Sequence, residues 1–518
     1  MKRHLLTIAL VVAGSAGIAS AQAVQIDSTE RVLEIRGKES GDLLGRPVLC
    51  ADLNGDGYDD LLVGSDRSSY SGAQRPTLHI IRGSANIGST GLLDLAATSA
   101  DTVVLGETGS SAFPRSLAAG DVNNDGYLDL IAADSSLTVS GRTAAGAVYV
   151  IFGGIGFFNT ATYDLAANDW DVKILGATAG DDMGGSLFFG GGTAHALAAG
   201  DVTGDGIADI VMGAHLADAG SRSGAGVVRM VKGRNPFPPG TTIDLATKSD
   251  ATILGVGTYD EFGTNIVIGD VNADGTGDIV VGNEYASLST FSSEGSVFAF
   301  FGSTTFPSTI DLGSQSASLR ITGPAAGTEL GSAIALSDFN GDGRADVLAA
   351  AGGWDAAGDS SIDHGAVYGF AGGSSLAGNY PIASSAFLVK GYATENNIGS
   401  TVAGGDFNGD GVGDFLYSSR DGERSGFSSE GRTYITFGSA SALPTQFLVQ
   451  NEEADVIING GVDGLQLGDA VASGDLDGDG ADEILIAAPF IDSGTGRLYV
   501  FDLTPPPASA ERTWTLYE

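Results

Sequence analysis

One nine-residue acidic motif occurs seven times along the chain at nearly constant spacing. The first copy reads DLNGDGYDD, and the copies begin at Asp52, Asp121, Asp201, Asp270, Asp338, Asp406 and Asp475. Successive copies start 69, 80, 69, 68, 68 and 69 residues apart. Repeats of this regularity are typical of folds in which each repeat is one supersecondary unit that packs against its neighbours. The sequence therefore predicts a ring or an array of seven similar units.

Each copy carries oxygen-bearing side chains at positions one, three, five and nine. Position six is Gly in every copy, which suits a sharp turn, and the varied residue at position seven leaves its main-chain oxygen as a ligand. Hard cations such as Ca²⁺ take six to eight oxygen ligands. We therefore predict up to seven Ca²⁺ sites. Their predicted ligands are Asp52, Asn54, Asp56, Tyr58 and Asp60; Asp121, Asn123, Asp125, Tyr127 and Asp129; Asp201, Thr203, Asp205, Ile207 and Asp209; Asp270, Asn272, Asp274, Thr276 and Asp278; Asp338, Asn340, Asp342, Arg344 and Asp346; Asp406, Asn408, Asp410, Val412 and Asp414; and Asp475, Asp477, Asp479, Ala481 and Glu483.

An EF-hand is the main alternative for such a motif. It requires a bidentate Glu at position twelve and a helix on either side of the loop. Position twelve is Val63 in the first copy, and no copy has an acid there. Short apolar runs such as 61–63 and 484–486 follow the loops instead, which favours strands. We expect each motif to close a hairpin between two strands; a metal-free Asx turn is the remaining alternative.

Further sequence features recur at fixed positions within the repeats and predict four short strands in each repeat. A Gly stands seven residues before the first Asp in five copies, and a small-residue turn leads into an aromatic-rich strand, as at 146–150. A fourth short strand ends in Gly, as at 252–255. Four short antiparallel strands per repeat describe a propeller blade. The predicted fold is an all-β, seven-bladed β-propeller of four-stranded antiparallel blades over residues 24–503.

The two ends of the propeller predict how the ring closes. Only a second and a third strand follow the last motif, whereas a fourth-strand pattern at 32–37 precedes the first motif. We therefore expect 32–37 to complete the blade whose other strands come from 462–503. Such a mixed blade would leave no open sheet edge.

On these motifs the chain resembles the FG-GAP repeats of the integrin alpha-subunit propeller. The "FG" half matches Phe262-Gly263 and is weakened to pairs such as Leu44-Gly45, while Pro114 replaces the Gly in the second repeat. The "GAP" half is visible at 146–147, 365–366 and 487–489. The resemblance covers roughly residues 30 to 503 and implies a calcium-bearing propeller.

The same resemblance implies an adhesion, ligand-binding or scaffold role. The expected partner is an extracellular protein or polysaccharide on the face opposite the calcium loops. The expected residues of that face are Arg67, Tyr70, His215, Arg222, Tyr259, Tyr285, Phe291, Trp354, Tyr392, Arg424 and Phe427.

Catalytic residues are not expected from this sequence. The five His fall in no Ser/His/Asp order and no zinc-site spacing, so the chain is not predicted to be an enzyme. The alternative function is a calcium-dependent polysaccharide-binding lectin, or a polysaccharide lyase, on the same propeller. A lyase would need a Tyr, His or Lys base beside an Arg in one cleft.

Composition and the chain ends predict an exported protein. Residues 1–23 combine a basic start, an apolar stretch and small residues, as in a cleaved secretion signal. We expect a secreted, periplasmic or cell-surface monomer without a membrane span. The formal net charge of −39 argues against nucleic acid or an anionic membrane as partner. Residues 504–518 form a proline-rich tail of unassigned role.

The seven sites are not expected to be equally strong. Thr203 at position three offers a neutral oxygen, so the third site should be the weakest. Asp477 adds a charge at the same position, so the seventh site should be the strongest.

Overall fold

The computed structural model of the chain describes residues 22–25, 31–65, 69–70, 73–87, 91–185, 195–287, 292–355, 364–392, 397–423, 428–441 and 443–503. Residues 1–21 of the predicted signal and the predicted tail at 504–518 lie outside these ranges. Residues 186–194, which precede the third motif where the spacing between motifs is longest, also lie outside these ranges.

The described chain contains seven five-stranded sheets, and each of them carries one copy of the acidic motif. The prediction of an all-β, seven-bladed propeller is confirmed. The first four strands of every blade are antiparallel, as predicted. A fifth strand that the sequence analysis did not predict pairs in parallel with the fourth.

The blades are numbered by their acidic motif, and their strands are given from first to fifth. Blade 1 contains Val48–Ala51, Asp60–Ser65, Thr77–Ile81, Thr102–Leu105 and Thr162–Asp164. Blade 2 contains Leu117–Gly120, Asp129–Asp134, Ala147–Ile151, Val172–Leu175 and Thr241–Asp244. Blade 3 contains Leu197–Gly200, Asp209–Ala214, Val227–Val231, Ala251–Leu254 and Thr309–Asp311. Blade 4 contains Asn265–Gly269, Asp278–Asn283, Ser296–Phe300, Leu319–Thr322 and Gly378–Tyr380. Blade 5 contains Leu330–Ser337, Asp346–Ala351, Ala366–Phe370, Phe387–Lys390 and Gln446–Leu448. Blade 6 contains Ile398–Gly405, Asp414–Ser419, Arg432–Thr436, Val456–Asn459 and Gln22–Gln25. Blade 7 contains Val471–Gly474, Glu483–Ala488, Arg497–Phe501, Arg31–Arg36 and Leu92–Asp94.

Helical segments are short and peripheral. They are the 3₁₀ turns Phe157–Asn159, Leu165–Ala167, Ile382–Ser384 and Val449–Asn451, and the single α-turn Ile491–Gly494. A two-stranded ribbon joins Ser69–Tyr70 to Ala73–Gln74. Within the described ranges, none of the helical segments has the length and apolar character needed to cross a bilayer.

The blades form a closed ring around their first strands. The first strand of each blade contacts the first strands of both neighbours, and this includes the contact between blades 7 and 1. Arg31–Arg36 pairs in antiparallel fashion with Arg497–Phe501, so the predicted closure by residues 32–37 is confirmed. All seven acidic motifs, which are the candidate metal loops, consequently lie side by side at one end of the ring.

The fifth strands lock each blade to the next one. The fifth strand of blade 1 comes from the connection between the third and fourth strands of blade 2, and the same rule holds around the ring. Gln22–Gln25 takes this role on blade 6, where it pairs with Val456–Asn459. Three of these strands are also held by ion pairs to the blade they complete. The pairs are Arg75–Asp164 at 2.6 Å, Arg142–Asp244 at 2.7 Å and Arg222–Asp311 at 2.5 Å.

The core consists of seven apolar clusters, one at each junction between blades. Successive residues of a second strand face opposite sides of their sheet and therefore enter different clusters. Leu61 packs toward blade 7, for example, and Leu62 packs toward blade 2. Both faces of every sheet are thus buried, which explains why the runs after each acidic motif are continuously apolar.

Candidate metal centres and opposite face

Each acidic motif forms the hairpin between the first and second strands of its blade. In blade 1 the first strand ends at Ala51, and the residue at position nine, Asp60, begins the second strand. The connection between the third and fourth strands emerges on this same side of the ring, which we call the loop face. The remaining connections, from second to third strand and from fourth strand to the next blade, form the opposite face.

Position one organises each loop through its own carboxylate. Asp52 accepts hydrogen bonds from the main-chain N–H groups of Gly55, Asp56 and Gly57 at 2.7, 3.2 and 2.8 Å. The bond from the position-six Gly to position one recurs in all seven loops, at 2.7 to 3.1 Å. The backbone therefore curls around the position-one carboxylate. This brings the carboxylate groups of the loop together without a bound cation.

Position three provides the test of whether the loops suit a cation. The side-chain oxygens of Asn54, Asn123 and Asn272 are buried and have no hydrogen-bond partner among the described residues. The amide nitrogens of Asn123 and Asn272 donate to the position-five carboxylates at 3.0 Å. A half-turn of the side-chain amide would bring its oxygen to the position-five carboxylate in place of its nitrogen. Two oxygen acceptors repel each other there unless a cation lies between them. The donor set therefore fits Ca²⁺.

Loops 5 and 6 satisfy position three locally. The side-chain oxygens of Asn340 and Asn408 each accept the main-chain N–H of position five at 2.9 Å. In loop 7 the carboxylate of Asp477 accepts the N–H of Asp479 at 3.1 Å. The seven loops thus share one backbone path, but they differ in how their position-three oxygen is used.

Position nine is a buried acid that ties the loop to the rest of the blade. Asp129 accepts the N–H of Val122 at position two and the N–H of Gly153 after the third strand, both at 2.9 Å. The glycine bond recurs in blades 1 to 6 at 2.7 to 3.1 Å. Each carboxylate oxygen of Asp129 accepts one of these two bonds, so each retains a second lone pair that can face a cation.

Burial raises the pKa of every position-nine acid, and neighbouring carboxylates raise it further in all seven loops. The pKa is about 6 for Asp209 and about 9 for Glu483. It is about 7 for the other five acids, Asp60, Asp129, Asp278, Asp346 and Asp414. Without a cation most of these acids titrate near neutral pH, and a bound cation would favour their charged form.

Loop 7 brings its acids closest together. Oxygen atoms of Asp475, Asp477 and Glu483 lie within 4.8 Å of one another. Across the described ranges this is the one group of three or more His, Cys, Asp or Glu side chains that meets this distance. The ranking of the seventh site as the strongest remains a prediction, and this geometry is compatible with it.

Two loops place an arginine on the position-five ligand. Arg82 approaches Asp56 at 2.5 Å in loop 1, and Arg344 approaches Asp342 at 3.3 Å in loop 5. Both arginines are about half exposed. A guanidinium at this position repels a cation in the same loop, so it should weaken that site. The sequence motif did not predict the contact of Arg82, because this residue lies outside the motif and follows the third strand.

The opposite face carries part of the residue set expected there. Tyr259 is 70% exposed and Tyr392 is 48% exposed. Trp354 is partly buried against the core between blades 4 and 5. Arg222 is engaged in the ion pair that fixes a fifth strand, so its role is structural. Arg67, the side chain of Tyr70, Phe291, Arg424 and Phe427 lie outside the described residues.

Sequence analysis missed three exposed apolar residues on this face. They are Leu216 at 45%, Val462 at 47% and Phe490 at 38% exposure. With Tyr259 and Tyr392 they make up five of the eight large apolar side chains that are exposed in the described chain. In the described chain, large exposed apolar side chains are thus more numerous on the opposite face than on the loop face.

Comparison with known families identifies the repeats. The FG-GAP repeat profile matches residues 48–75, 113–151, 193–229, 262–300, 330–368 and 467–501. The chain belongs to the FG-GAP repeat family. Its matched repeats include six of the seven candidate metal loops, and the loop from Asp406 falls outside the matched ranges. Each FG-GAP match begins at or before a first strand and extends beyond the second strand of the same blade.

Two curated relatives share local similarity with this chain. Phosphatidylinositol-glycan-specific phospholipase D of Rattus norvegicus is 29% identical over 154 residues, and that of Bos taurus is 27% identical over 155 residues. These alignments cover 29% and 30% of this chain but only 17% and 18% of the relatives. Among solved structures, rhamnogalacturonan lyase YesW aligns over 89% of this chain and 72% of its own, with 11% identity and a TM-score of 0.39.

Proposed function

We propose that this FG-GAP protein is an exported, calcium-stabilised propeller that binds an extracellular protein or polysaccharide through its opposite face. In this proposal it serves adhesion or acts as a scaffold. The loops provide rigidity, and the opposite face provides recognition. Export rests on the signal-like pattern of residues 1–23.

The observation that carries the calcium part is the set of buried asparagine oxygens. A buried polar atom without a partner is costly, so its repeated presence beside carboxylates calls for a ligand. Asn54 and Asn272 are 3% and 7% exposed, which leaves bulk water little access to them. When bound, Ca²⁺ would supply the positive charge that allows the clustered carboxylates to remain ionised together.

The recognition part rests on the contrast between the two faces. Aromatic side chains such as Tyr259 and Tyr392 offer large contact area at low entropic cost, and they suit either a protein partner or a sugar ring. The connections that carry these tyrosines belong to the opposite face, whereas the predicted metal ligands belong to the loop face. A partner can therefore bind there without displacing a cation.

A retention experiment tests this function. The exported protein is applied to immobilised polysaccharides and matrix proteins in calcium and in chelator, and soluble products are assayed afterwards. Calcium-dependent retention that is lost in Tyr259→Ala and Tyr392→Ala would support the proposal. Ile155→Ala is the matched control, because this residue is 85% exposed on the loop face. Equal loss in the control, or retention that is unaffected by all three changes, would contradict recognition by the opposite face.

A polysaccharide lyase is the second candidate, and one cluster on the opposite face favours it. His215 lies 3.9 Å from Asp182, and Arg115 is close enough to influence its charge. Burial lowers the pKa of His215, so the imidazole is neutral and able to accept a proton. An imidazole near an arginine matches the base and arginine that a lyase is expected to need, and His215 is 2% exposed, so a substrate would reach it only through a rearrangement of these connections.

The lyase candidate predicts unsaturated products in the same retention assay. His215→Ala should abolish those products while leaving the melting temperature in calcium within a few degrees of the parent value. Retention on a polysaccharide without any such products would favour a lectin. Retention on protein alone would favour adhesion.

A further inference from the structure

Neighbouring metal loops are joined by a main-chain hydrogen bond. The N–H at position eight of one loop donates to the carbonyl oxygen at position one of the preceding loop. The pairs are Asp59 to Asp475 at 2.9 Å, Ala208 to Asp121 at 3.0 Å, Gly277 to Asp201 at 2.9 Å, Gly413 to Asp338 at 2.9 Å and Asp482 to Asp406 at 2.8 Å. The accepting residue supplies a candidate ligand of one site through its side chain, and the donor immediately precedes the position-nine ligand of the next site.

A second bond connects the same loops through the end of the third strand. In blade 2, Gly153 donates to the position-nine acid of its own loop, and the next residue, Gly154, donates to the carbonyl of Leu53 in loop 1 at 2.8 Å. The same bond occurs at five further junctions. The pairs are Ser84 to Leu476, Arg234 to Val122, Ser303 to Val202, Gly373 to Val271 and Ser439 to Phe339, at 2.7 to 3.0 Å.

Side chains at position seven add a third connection. The ring of Tyr127 in loop 2 lies over Gly55 at position four of loop 1, where an added Cβ would come within 2.5 Å of it. The ring of Tyr58 in loop 1 lies over Gly478 of loop 7 in the same way, at 2.6 Å. These contacts cross the junctions between blades, and the second of them crosses the junction at which the ring closes.

We propose that the loops bind calcium cooperatively with their neighbours, and that Tyr58 and Tyr127 are positioning residues for the loops they cover. This inference rests on the calcium binding proposed above. A cation that orders one loop fixes its position-one residue, whose carbonyl then holds position eight and orients the position-nine ligand of the next loop. The next cation meets a loop that has already lost conformational freedom, so it binds more tightly.

Tyrosine at position seven allows individual sites to be observed. Loops 1 and 2 have Tyr58 and Tyr127 there, whereas the other five loops have Ile, Thr, Arg, Val or Ala. Terbium(III) is the probe, because nearby tyrosine sensitises its luminescence when it occupies a calcium site. Emission is compared between the Tyr58→Phe variant and the Tyr58→Phe/Tyr127→Phe double variant. The emission that only the first of them shows reports the sites beside Tyr127. Those sites are loops 1 and 2.

The decisive comparison removes one cation site at a time. Asp205→Ala disables loop 3, which is bonded to loop 2 through Ala208 and Asp121. Asp342→Ala disables loop 5, which adjoins neither loop 1 nor loop 2. We expect the terbium midpoint of the Tyr127 signal to rise about fivefold or more with Asp205→Ala. With Asp342→Ala it should stay within about twofold of the parent midpoint.

Folding and binding are controlled separately. Each variant is first melted in chelator, and if Asp205→Ala does not fold, Asp205→Asn replaces it with less change in shape. A midpoint that moves equally in both variants, or in neither, would overturn the coupling while leaving calcium binding intact. Absence of tyrosine-sensitised emission together with a melting temperature that is independent of calcium would overturn the proposed calcium binding itself.

Discussion

Calcium binding to these loops should release protons, and the number released should depend steeply on pH. The perturbation is the addition of calcium to metal-free protein at a series of pH values. Five position-nine acids have a pKa of about 7 in the folded chain, against an ordinary value of 3.8. A ligand carboxylate must lose its proton before it can bind the ion.

The magnitude follows from the titration of these acids. At pH 6 a group with a pKa of 7 carries about 0.9 proton, and at pH 8 it carries about 0.1 proton. Binding should therefore release about one proton per loop at pH 6 and almost none at pH 8 from these five loops. Below pH 7 the apparent calcium affinity of each loop should fall about tenfold per pH unit.

Isothermal titration calorimetry in buffers of different ionisation enthalpy counts the protons directly. Asp129→Asn is the matched variant, because it removes one titrating group and should lower the count at pH 6 by about one. A count near zero at pH 6, or a count that does not change between pH 6 and pH 8, would refute the reasoning.

The same pKa values determine how the metal-free protein responds to pH. A carboxyl group whose pKa is raised on folding stabilises the folded state most fully below the unfolded pKa of about 4. That contribution is lost as the pH rises through the folded value of about 7. The melting temperature in chelator should therefore fall between pH 5 and pH 8, and saturating calcium should reduce or reverse this fall.

Three further changes test separate parts of the structure. Asp342→Ala should lower the melting temperature in calcium and leave it nearly unchanged in chelator; an equal decrease in both would argue against a metal role for loop 5. Arg82→Gln should tighten terbium binding at loop 1 several-fold by removing a charge beside Asp56, and an unchanged midpoint would show that the ion pair does not compete. Gly226→Ala should destabilise the fold by about 3 kcal/mol or more. Gly226 has a φ of +81°, and an added Cβ would lie 2.1 Å from the carbonyl oxygen of Phe262. A chemical-denaturation curve that matches the parent would contradict this.

The closure of the ring could be predicted from sequence because it follows from the number of strand patterns in each repeat. Each repeat has four strand patterns, so a fourth strand at 32–37 before the first motif and its absence after the last motif require the two ends to meet. The fifth strands could not be predicted in this way. They are three or four residues long, and they are defined by pairing with another blade more than by any pattern of their own.

The metal ligands of one loop were accessible to sequence analysis because all of them lie within nine residues. The arginine at Asp56 was not accessible, because Arg82 follows the third strand and reaches the loop only after the blade has folded. The same limit applies to the cluster of His215, Asp182 and Arg115, which joins three different connections. In both cases the signal is a distance between segments, and sequence spacing carries no information about it.

Position four shows why the contacts between loops are hidden in the motif. It is Gly in five loops, and Asn124 and Ala273 take its place in the other two with φ values of 58° and 63°. The backbone conformation alone therefore tolerates a side chain there. Gly55 and Gly478 are needed for another reason, because the rings of Tyr127 and Tyr58 lie directly over them. A glycine that looks like part of a calcium loop is thus also the contact surface for the next one, and this pairing gives loops 7, 1 and 2 a physical means to act together.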